Sequence, residues 1–134
     1  NIGIECPKTA ILSASESPNP KMPESLEAVQ LKEMNQQGLI KNCIIDGPLS
    51  YDLCFDPESA KIKGLTSDVA GDPDLIIYPD LVTGNAVSKA LVLNARAIGS
   101  SVILGTAVPV VLPSRAASVE EKVRNILLAS ASVN

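Results

Sequence analysis

The side chains able to do chemistry fall into four groups. Asp46 stands in Asp46-Gly47-Pro48. Asp80 is followed by Thr83-Gly84-Asn85 and, a helical turn later, Lys89. Ser114 and Arg115 adjoin in Pro113-Ser114-Arg115, and Glu121 closes Ser118-Val119-Glu120-Glu121. The chain has no His, which removes the commonest general base and the commonest metal ligand. Proton transfer is left to carboxylates, Lys, Tyr or Cys. An arginine fork suits the oxygens of a phosphate. Each group also has a purely structural reading. Asp46 before Gly-Pro suits a turn, and Thr83 and Asn85 suit helix caps. Lys89 and Arg115 suit a solvated surface. Glu121, three residues after Ser118, suits a capping box, where the helix N-terminus lowers a carboxyl pKa and weakens it as a base.

The elements that position these residues follow from the apolar spacing. Leu75-Ile76-Ile77-Tyr78 reads as a buried strand that Pro79 ends, since proline brings no N–H to a ladder. The polar stretch Asp80–Asn85 leads into a helix from Ala86 to about Ile98, stopped by Gly99. Val87, Ala90, Leu91, Leu93, Ala97 and Ile98 wrap more than half of it, which predicts burial on more than one side. Earlier, Thr9–Ala14 reads as a strand, Ser15–Pro20 as an irregular loop, and Glu24–Gln37 as a helix closed by Gly38. Cys43-Ile44-Ile45 reads as a strand that Asp46-Gly47-Pro48 ends abruptly. A single helical turn is expected over Ser50–Cys54, a short helix over Pro57–Lys63, and a loop over Thr66–Pro73. Ser101–Leu104 reads as a fourth strand and Val108–Leu112 as a further apolar run. Ser118 opens a last helix with Val119, Val123, Ile126 and Leu127 as its stripe. Strands alternating with helices predict an α/β fold with a mainly parallel sheet and flanking helices. The C-terminal strand ends of such a sheet share one edge, so Asp46, Asp80 and Ser114-Arg115 can converge there, where helix N-termini favour anions.

Composition narrows the function classes. The 134 residues suffice for one domain. Hydrophobic residues make up 46% but aromatics only 2%, with no Trp, so the core is built from Ile, Leu, Val and Ala, the palette of covered parallel sheets. A net charge of −4 without a basic cluster offers nothing to a nucleic-acid backbone. Three widely spaced cysteines without a CxxC pair argue against zinc and fit a reduced, cytoplasmic protein. No apolar run approaches the roughly 20 residues that span a bilayer. The first residue is Asn1 and not Met, which leads us to expect a piece of a longer protein. GxxxxGK[ST], GxGxxG and GxSxG are all absent. The residues alone therefore predict an α/β domain with an anion-friendly edge.

Four longer phrases carry a resemblance. IECPKTAILSASESPNPKMPESLEA, IIDGPLSYDLCF, KGLTSDVAGDPDLIIYPDLVTGNAVSKAL and VPVVLPSRAASVEEK resemble the carboxyl-terminal half of the phosphate acyltransferases, the phosphate acetyltransferases and phosphotransbutyrylases. Their wording is closer to the butyryl branch, and the likeness covers nearly the whole chain. It implies a fold similar to isocitrate and isopropylmalate dehydrogenases, with two α/β domains, a cleft between them, and dimers or larger assemblies. Residues 1–104 would match the middle domain, and 105–134 a segment returning to the first domain.

The resemblance implies exchange of an acetyl or butyryl group: acyl-CoA and phosphate give acyl phosphate and coenzyme A, with coenzyme A as substrate and no metal or redox cofactor. It implies that Arg115 holds phosphate, that Ser114 hydrogen-bonds the reacting sulfur or carbonyl, and that Glu121, where acetyl-type enzymes usually carry Asp, removes the thiol proton. Asp46 and Gly47 in DGPL, with Gly84, Asn85 and Lys89 at the PDLxxGN helix start, would line the cleft. The family's amino-terminal half, with further phosphate-binding arginines, has no counterpart here. The chain alone is therefore expected to be inactive, and a homodimer or larger assembly to cover its apolar elements. An alternative is a coenzyme A- or nucleotide-binding module without chemistry of its own. A dehydrogenase relative is disfavoured, because no dinucleotide fingerprint or metal-binding carboxylate cluster exists.

Overall fold

The computed structural model describes residues 3–133; Asn1, Ile2 and Asn134 lie outside the described residues. Two compact units are present, Glu5–Ala86 and Val87–Asn134 with Asn1–Ile4.

The first unit is built on a parallel sheet of three strands: β1 (Lys8–Leu12), β2 (Ile44–Leu49) and β3 (Leu75–Ile77), in the order β2-β1-β3. Between β1 and β2 runs α1 (Pro23–Gln36). Between β2 and β3 lie α2 (Tyr51–Phe55) and α3 (Pro57–Ile62). β1 is central because both its faces are apolar. Ala10 and Leu12 point to one side and pack with Leu49, Leu53, Cys54, Ala60 and Val69. Ile11 points to the other and packs with Ala28 of α1 and Ile45 of β2. This alternation along a strand covered on both sides is the reason for an apolar run here in place of a polar-apolar pattern. Burial also explains the chemistry of Cys54, whose thiol is pushed up to about 11 mainly by desolvation and is thereby kept protonated and inert.

β2 departs from expectation. It does not stop at Ile45 but runs through Asp46-Gly47-Pro48 to Leu49. Ala10 pairs with Asp46 and Leu12 with Leu49, with a register shift between them. β2 is an edge strand of this sheet, and Pro48 falls within the shift, so its missing N–H breaks no regular ladder bond. Asp46 is therefore a mid-strand residue and not a strand-end turn.

α1 ends as predicted, with Gly38 in the left-handed region at φ 73° and its N–H on the Asn35 carbonyl at 2.9 Å. Asn35 then organises the return to the sheet. Its amide donates to the Ile40 and Cys43 carbonyls at 3.0 and 2.9 Å, and its oxygen accepts the Ile45 N–H at 3.1 Å. Asn35→Ala leaves these backbone groups without partners. We expect a loss of about 2 kcal/mol in urea unfolding.

In the second unit, α4 (Leu81–Asn94) passes the division at Ala86 and continues to Asn94, and α5 (Val119–Ala131) lies near the end. Two expectations fail here. The fourth strand reduces to one antiparallel bridge, Ile103 to Val110, because no strand among the described residues of this unit extends the ladder. And α4, expected to be buried on more than one side, has no buried residue; Leu93 is 66% exposed. Among the described residues no layer buries its apolar face. Asn125 of α5 is fully buried, with its oxygen accepting the Ser101 N–H at 2.8 Å.

Candidate functional site

The three parallel strands deliver their C-terminal ends to one cavity of about 590 Å³. β1 contributes Leu12, Ser13 and Ala14. β2 leads into Ser50 and Tyr51, and β3 into Pro79 and Asp80. The first two turns of α1 and the first turn of α4 complete the wall with Pro23, Glu24, Glu27 and Thr83. The position is the one expected of ligand sites in parallel sheets. Ser13, Ser50 and Tyr51 belong to no chemical motif in the sequence. Only their place directly after a strand marks them, and that becomes visible once β2 is seen to continue to Leu49.

Asp80 closes the start of α4. Its Oδ1 accepts the Thr83 N–H at 2.8 Å, and its Oδ2 accepts the Thr83 hydroxyl at 2.8 Å. These bonds hold its carboxyl below the usual range. The helix thus begins at Leu81 and not at Ala86, with Asp80 as the cap, and Thr83, Gly84 and Asn85 lie inside it. The helix N-terminus that an anion would seek is filled by the chain's own carboxylate. Asn85 is exposed. Gly84 is half-buried, and a side-chain carbon there would meet Tyr78 at 3.5 Å, an ordinary contact. Packing within the unit does not require glycine at this helical position, where it is less favourable than Ala by roughly 1 kcal/mol.

Asp46 and Gly47 serve the core. Asp46 Oδ1 receives Lys32 Nζ at 2.6 Å and the Gly47 N–H at 2.8 Å, tying β2 to α1. Gly47 is buried, and a side-chain carbon on it would stand 2.8 Å from Ile11 Cβ and 3.0 Å from the Ile11 carbonyl oxygen.

Beside the cavity, Lys63 bridges Glu16 at 2.5 Å and Asp52 at 2.9 Å, and the Ser50 hydroxyl lies 2.8 Å from Glu16 and 2.6 Å from Asp52. The Ser50 hydroxyl and then Lys63 draw the Asp52 carboxyl down to about 2. Lys63 and then Ser50 lower that of Glu16. Both carboxyls are depressed in the folded state, so their contribution is present above the ordinary carboxyl range and is lost as pH falls toward about 2. The melting-temperature gap between wild type and Lys63→Met is expected at pH 7 and is expected to close by about pH 2.

The remaining candidates lie in the second unit. Ser114 and Arg115 are exposed where a turn begins. The Ala117 N–H donates to the Ser114 carbonyl at 3.0 Å, and the Ala116 N–H to the Ser114 hydroxyl at 3.4 Å. Ser118 caps α5 by accepting the Glu121 N–H at 3.2 Å. The capping box is only half formed. The Glu120 carboxyl is lowered by its own N–H first and then by the Ser118 hydroxyl, and no hydrogen bond of the Glu121 carboxylate is found among the described residues. Neither Arg115, Glu121 nor the exposed Lys89 forms an ion pair among the described residues. Ser114 and Arg115 therefore share one turn, with Glu121 on the first turn of the helix that follows. Among the described residues no three Cys, Asp or Glu side chains gather as a metal site requires, and no helix is long and apolar enough to cross a membrane.

Comparison with known proteins sets these residues in a frame. The family model for "Phosphate acetyl/butaryl transferase" matches residues 1–130. Over 129 residues the chain is 50% identical to a phosphate acetyltransferase of Thermotoga maritima, covering 96% of this chain and 44% of that protein. It is 44% identical to a phosphate butyryltransferase of Clostridium acetobutylicum, covering 96% of this chain and 43% of that one. Among solved structures, a branched-chain phosphotransacylase from Enterococcus faecalis V583 superposes with a TM-score of 0.84 at 37% identity, covering 96% of this chain and 46% of that chain. The chain thus spans under half the length of these relatives, yet the match runs through nearly all of its own residues, from the first strand to the last helix: it belongs to the phosphate acetyl/butyryl transferase family.

Proposed function

We propose that these 134 residues are part of an enzyme that exchanges an acyl group between coenzyme A and phosphate. The observation that carries this reading is the family match over residues 1–130, which includes Ser114, Arg115 and Glu121. In the direction of acyl phosphate formation, a phosphate oxygen attacks the thioester carbonyl, the carbon–sulfur bond breaks, and coenzyme A leaves as thiolate. Arg115, exposed and without an ion-pair partner among the described residues, is the group that holds phosphate. Ser114 hydrogen-bonds the sulfur or the carbonyl. Glu121 takes the thiol proton in the reverse direction and returns it to the thiolate in the forward one. A free thiol near pKa 8.5 is mostly protonated at neutral pH, so thiol attack gains from a base. Gly84, Asn85 and Lys89 line the cleft, and a glycine that packing does not require suits close approach of a ligand.

Residues 1–104 then form the middle domain, and 105–134 a segment that returns to a first domain lying in the longer protein. The apolar residues left exposed on α5, with Val119 at 71% and Leu127 at 63%, are covered by that domain. Assembly into a homodimer or larger covers further apolar surface. The reaction needs no metal or redox cofactor, and the cytoplasm is the compartment where both substrates meet the enzyme.

The test is acyl exchange measured on two proteins. The full-length enzyme is expected to release coenzyme A from acetyl-CoA or butyryl-CoA in a phosphate-dependent way. The 134-residue chain alone is expected to show none. Phosphate-independent hydrolysis, or no release by the full-length protein, removes the reading.

A further inference from the structure

The residue that α5 buries is not one of its apolar stripe. Val119, Val123, Ile126 and Leu127 are exposed, and Asn125 is fully buried. The oxygen of the Asn125 amide is occupied: Oδ1 accepts the Ser101 N–H at 2.8 Å. Next to it, Arg124 donates from Nε to the Gly99 carbonyl at 3.4 Å, so residues 99–101 are tied to this side of the helix. The nitrogen of the same amide is free. Asn125 Nδ2 is the one buried side-chain nitrogen or oxygen without a hydrogen-bond partner among the described residues. A bare buried donor lowers stability, and a leucine of similar size would avoid the loss. Such a group needs an acceptor.

Glu121 stands four residues earlier on the same helix, so the two side chains share one face. Both belong to the unit formed by Val87–Asn134. The Cα–Cβ bond of a helical residue tilts toward the helix N-terminus, so the Asn125 amide leans over the turn that bears Glu121. Glu121 is half-buried, and its carboxylate has no ion pair among the described residues. A donor without an acceptor and an acceptor without a donor are thus one helical turn apart. The other charged groups beside them on α5 are Glu120, Lys122 and Arg124, and Gly99-Ser100-Ser101 bring none. On the reading that Glu121 is the base of acyl exchange, we infer that Asn125 is a positioning residue whose Nδ2–H donates to the Glu121 carboxylate and fixes where that base stands. The bond to Ser101 sets the plane of the amide, so Nδ2 is held in advance and rotation of the longer Glu121 side chain closes the pair. A carboxylate free to sample several rotamers meets the thiol in only some of them; a held one meets it in each. A neutral amide suits this task, because a cation in its place would lower the carboxyl pKa much further and weaken the base.

The experiment uses the full-length protein with ¹⁵N-labelled asparagine side chains, followed by NMR. The Asn125 amide signal is identified by its loss in Asn125→Leu, or in Asn125→Ser where the leucine variant unfolds. In wild type this signal is expected to move as pH crosses the carboxyl range, and in Glu121→Gln to stay still. A signal that does not move in wild type overturns the inference, since Nδ2 is then bound elsewhere, as by the rest of the longer protein. A signal that moves equally in Glu121→Gln overturns it too. Kinetics supply the second readout. Asn125→Leu is expected to slow thiol attack on acyl phosphate about tenfold in kcat, with KM for coenzyme A within about twofold of wild type. Added to Glu121→Gln, the same change is expected to cause no further loss; full additivity of the two overturns the inference. The base assignment is tested apart from the contact. If the amide signal follows Glu121 while Glu121→Gln transfers acyl groups at the wild-type rate, the hydrogen bond stands and Glu121 is not the base.

Discussion

Arg115→Ala in the full-length protein is expected to lower kcat/KM for acyl phosphate formation by about a hundredfold to a thousandfold, the range seen when one preorganised group facing transition-state charge is removed. Four cations are engaged by carboxylates among the described residues: Lys8 with Asp72, Lys32 with Asp46, Lys61 with Glu58, and Lys63 with Glu16 and Asp52. Arg115 has no such partner among the described residues and sits on an exposed turn, so its fork is available to an anion. The KM for phosphate is expected to rise while coenzyme A binding holds. Arg115→Lys is expected to recover little, because a point charge cannot grip two oxygens in the plane of a guanidinium. Folding stability is expected to change by less than about 0.5 kcal/mol, as for other exposed residues without structural partners. A wild-type rate in Arg115→Ala would show that the family position is retained here without its chemistry. Glu121→Gln separates base from scaffold by a different signature. The Ser118 cap acts on the Glu121 backbone N–H, which glutamine keeps, so the helix is preserved. Thiol attack on acyl phosphate is expected to slow at pH 7 and to recover toward pH 9, where the thiol ionises without help.

Gly47→Ala is expected to destabilise the protein by about 3 kcal/mol, read as a fall in the urea midpoint with the slope unchanged. The added carbon would lie 2.8 Å from Ile11 Cβ, 3.0 Å from the Ile11 carbonyl oxygen and 3.4 Å from Ala28 Cβ. Two of the three neighbours are fixed to backbone within the sheet, and the third is on α1, which packs against it. Nothing flexible can give way, so β1, β2 or α1 must move. β2 also leads to Ser50 and Tyr51 at the cavity, so the strand-end wall is expected to shift with it. A midpoint within about 0.5 kcal/mol of wild type would mean that the strands separate more easily than their packing indicates.

Local chemistry decided much that could be read from the chain alone. The strand before Ser13, the helix ending at Gly38, the short helices after Ser50 and Asp56, and the Ser118 cap are settled by apolar spacing, proline, glycine and capping within a few residues of each other. The parallel α/β class followed from their alternation, and the family from four ordered phrases that outweigh any single motif. The tertiary structure decided what depends on a neighbour distant in sequence. Pro48 reads as a strand breaker by itself, yet in an edge strand at a register shift its missing N–H breaks no regular bond, so β2 continues. Asp46 reads as a turn or a ligand, and Lys32 makes it an internal tie. Gly47 reads as part of that turn, and the approach of Ile11 and Ala28 makes it a packing requirement. Thr83 and Asn85 read as caps, but Asp80 reaches the helix end first. The apolar residues of α4 predict burial, and burial needs a partner layer that the helix does not specify. Side-chain periodicity states which face is apolar; only the rest of the fold states what, if anything, covers it.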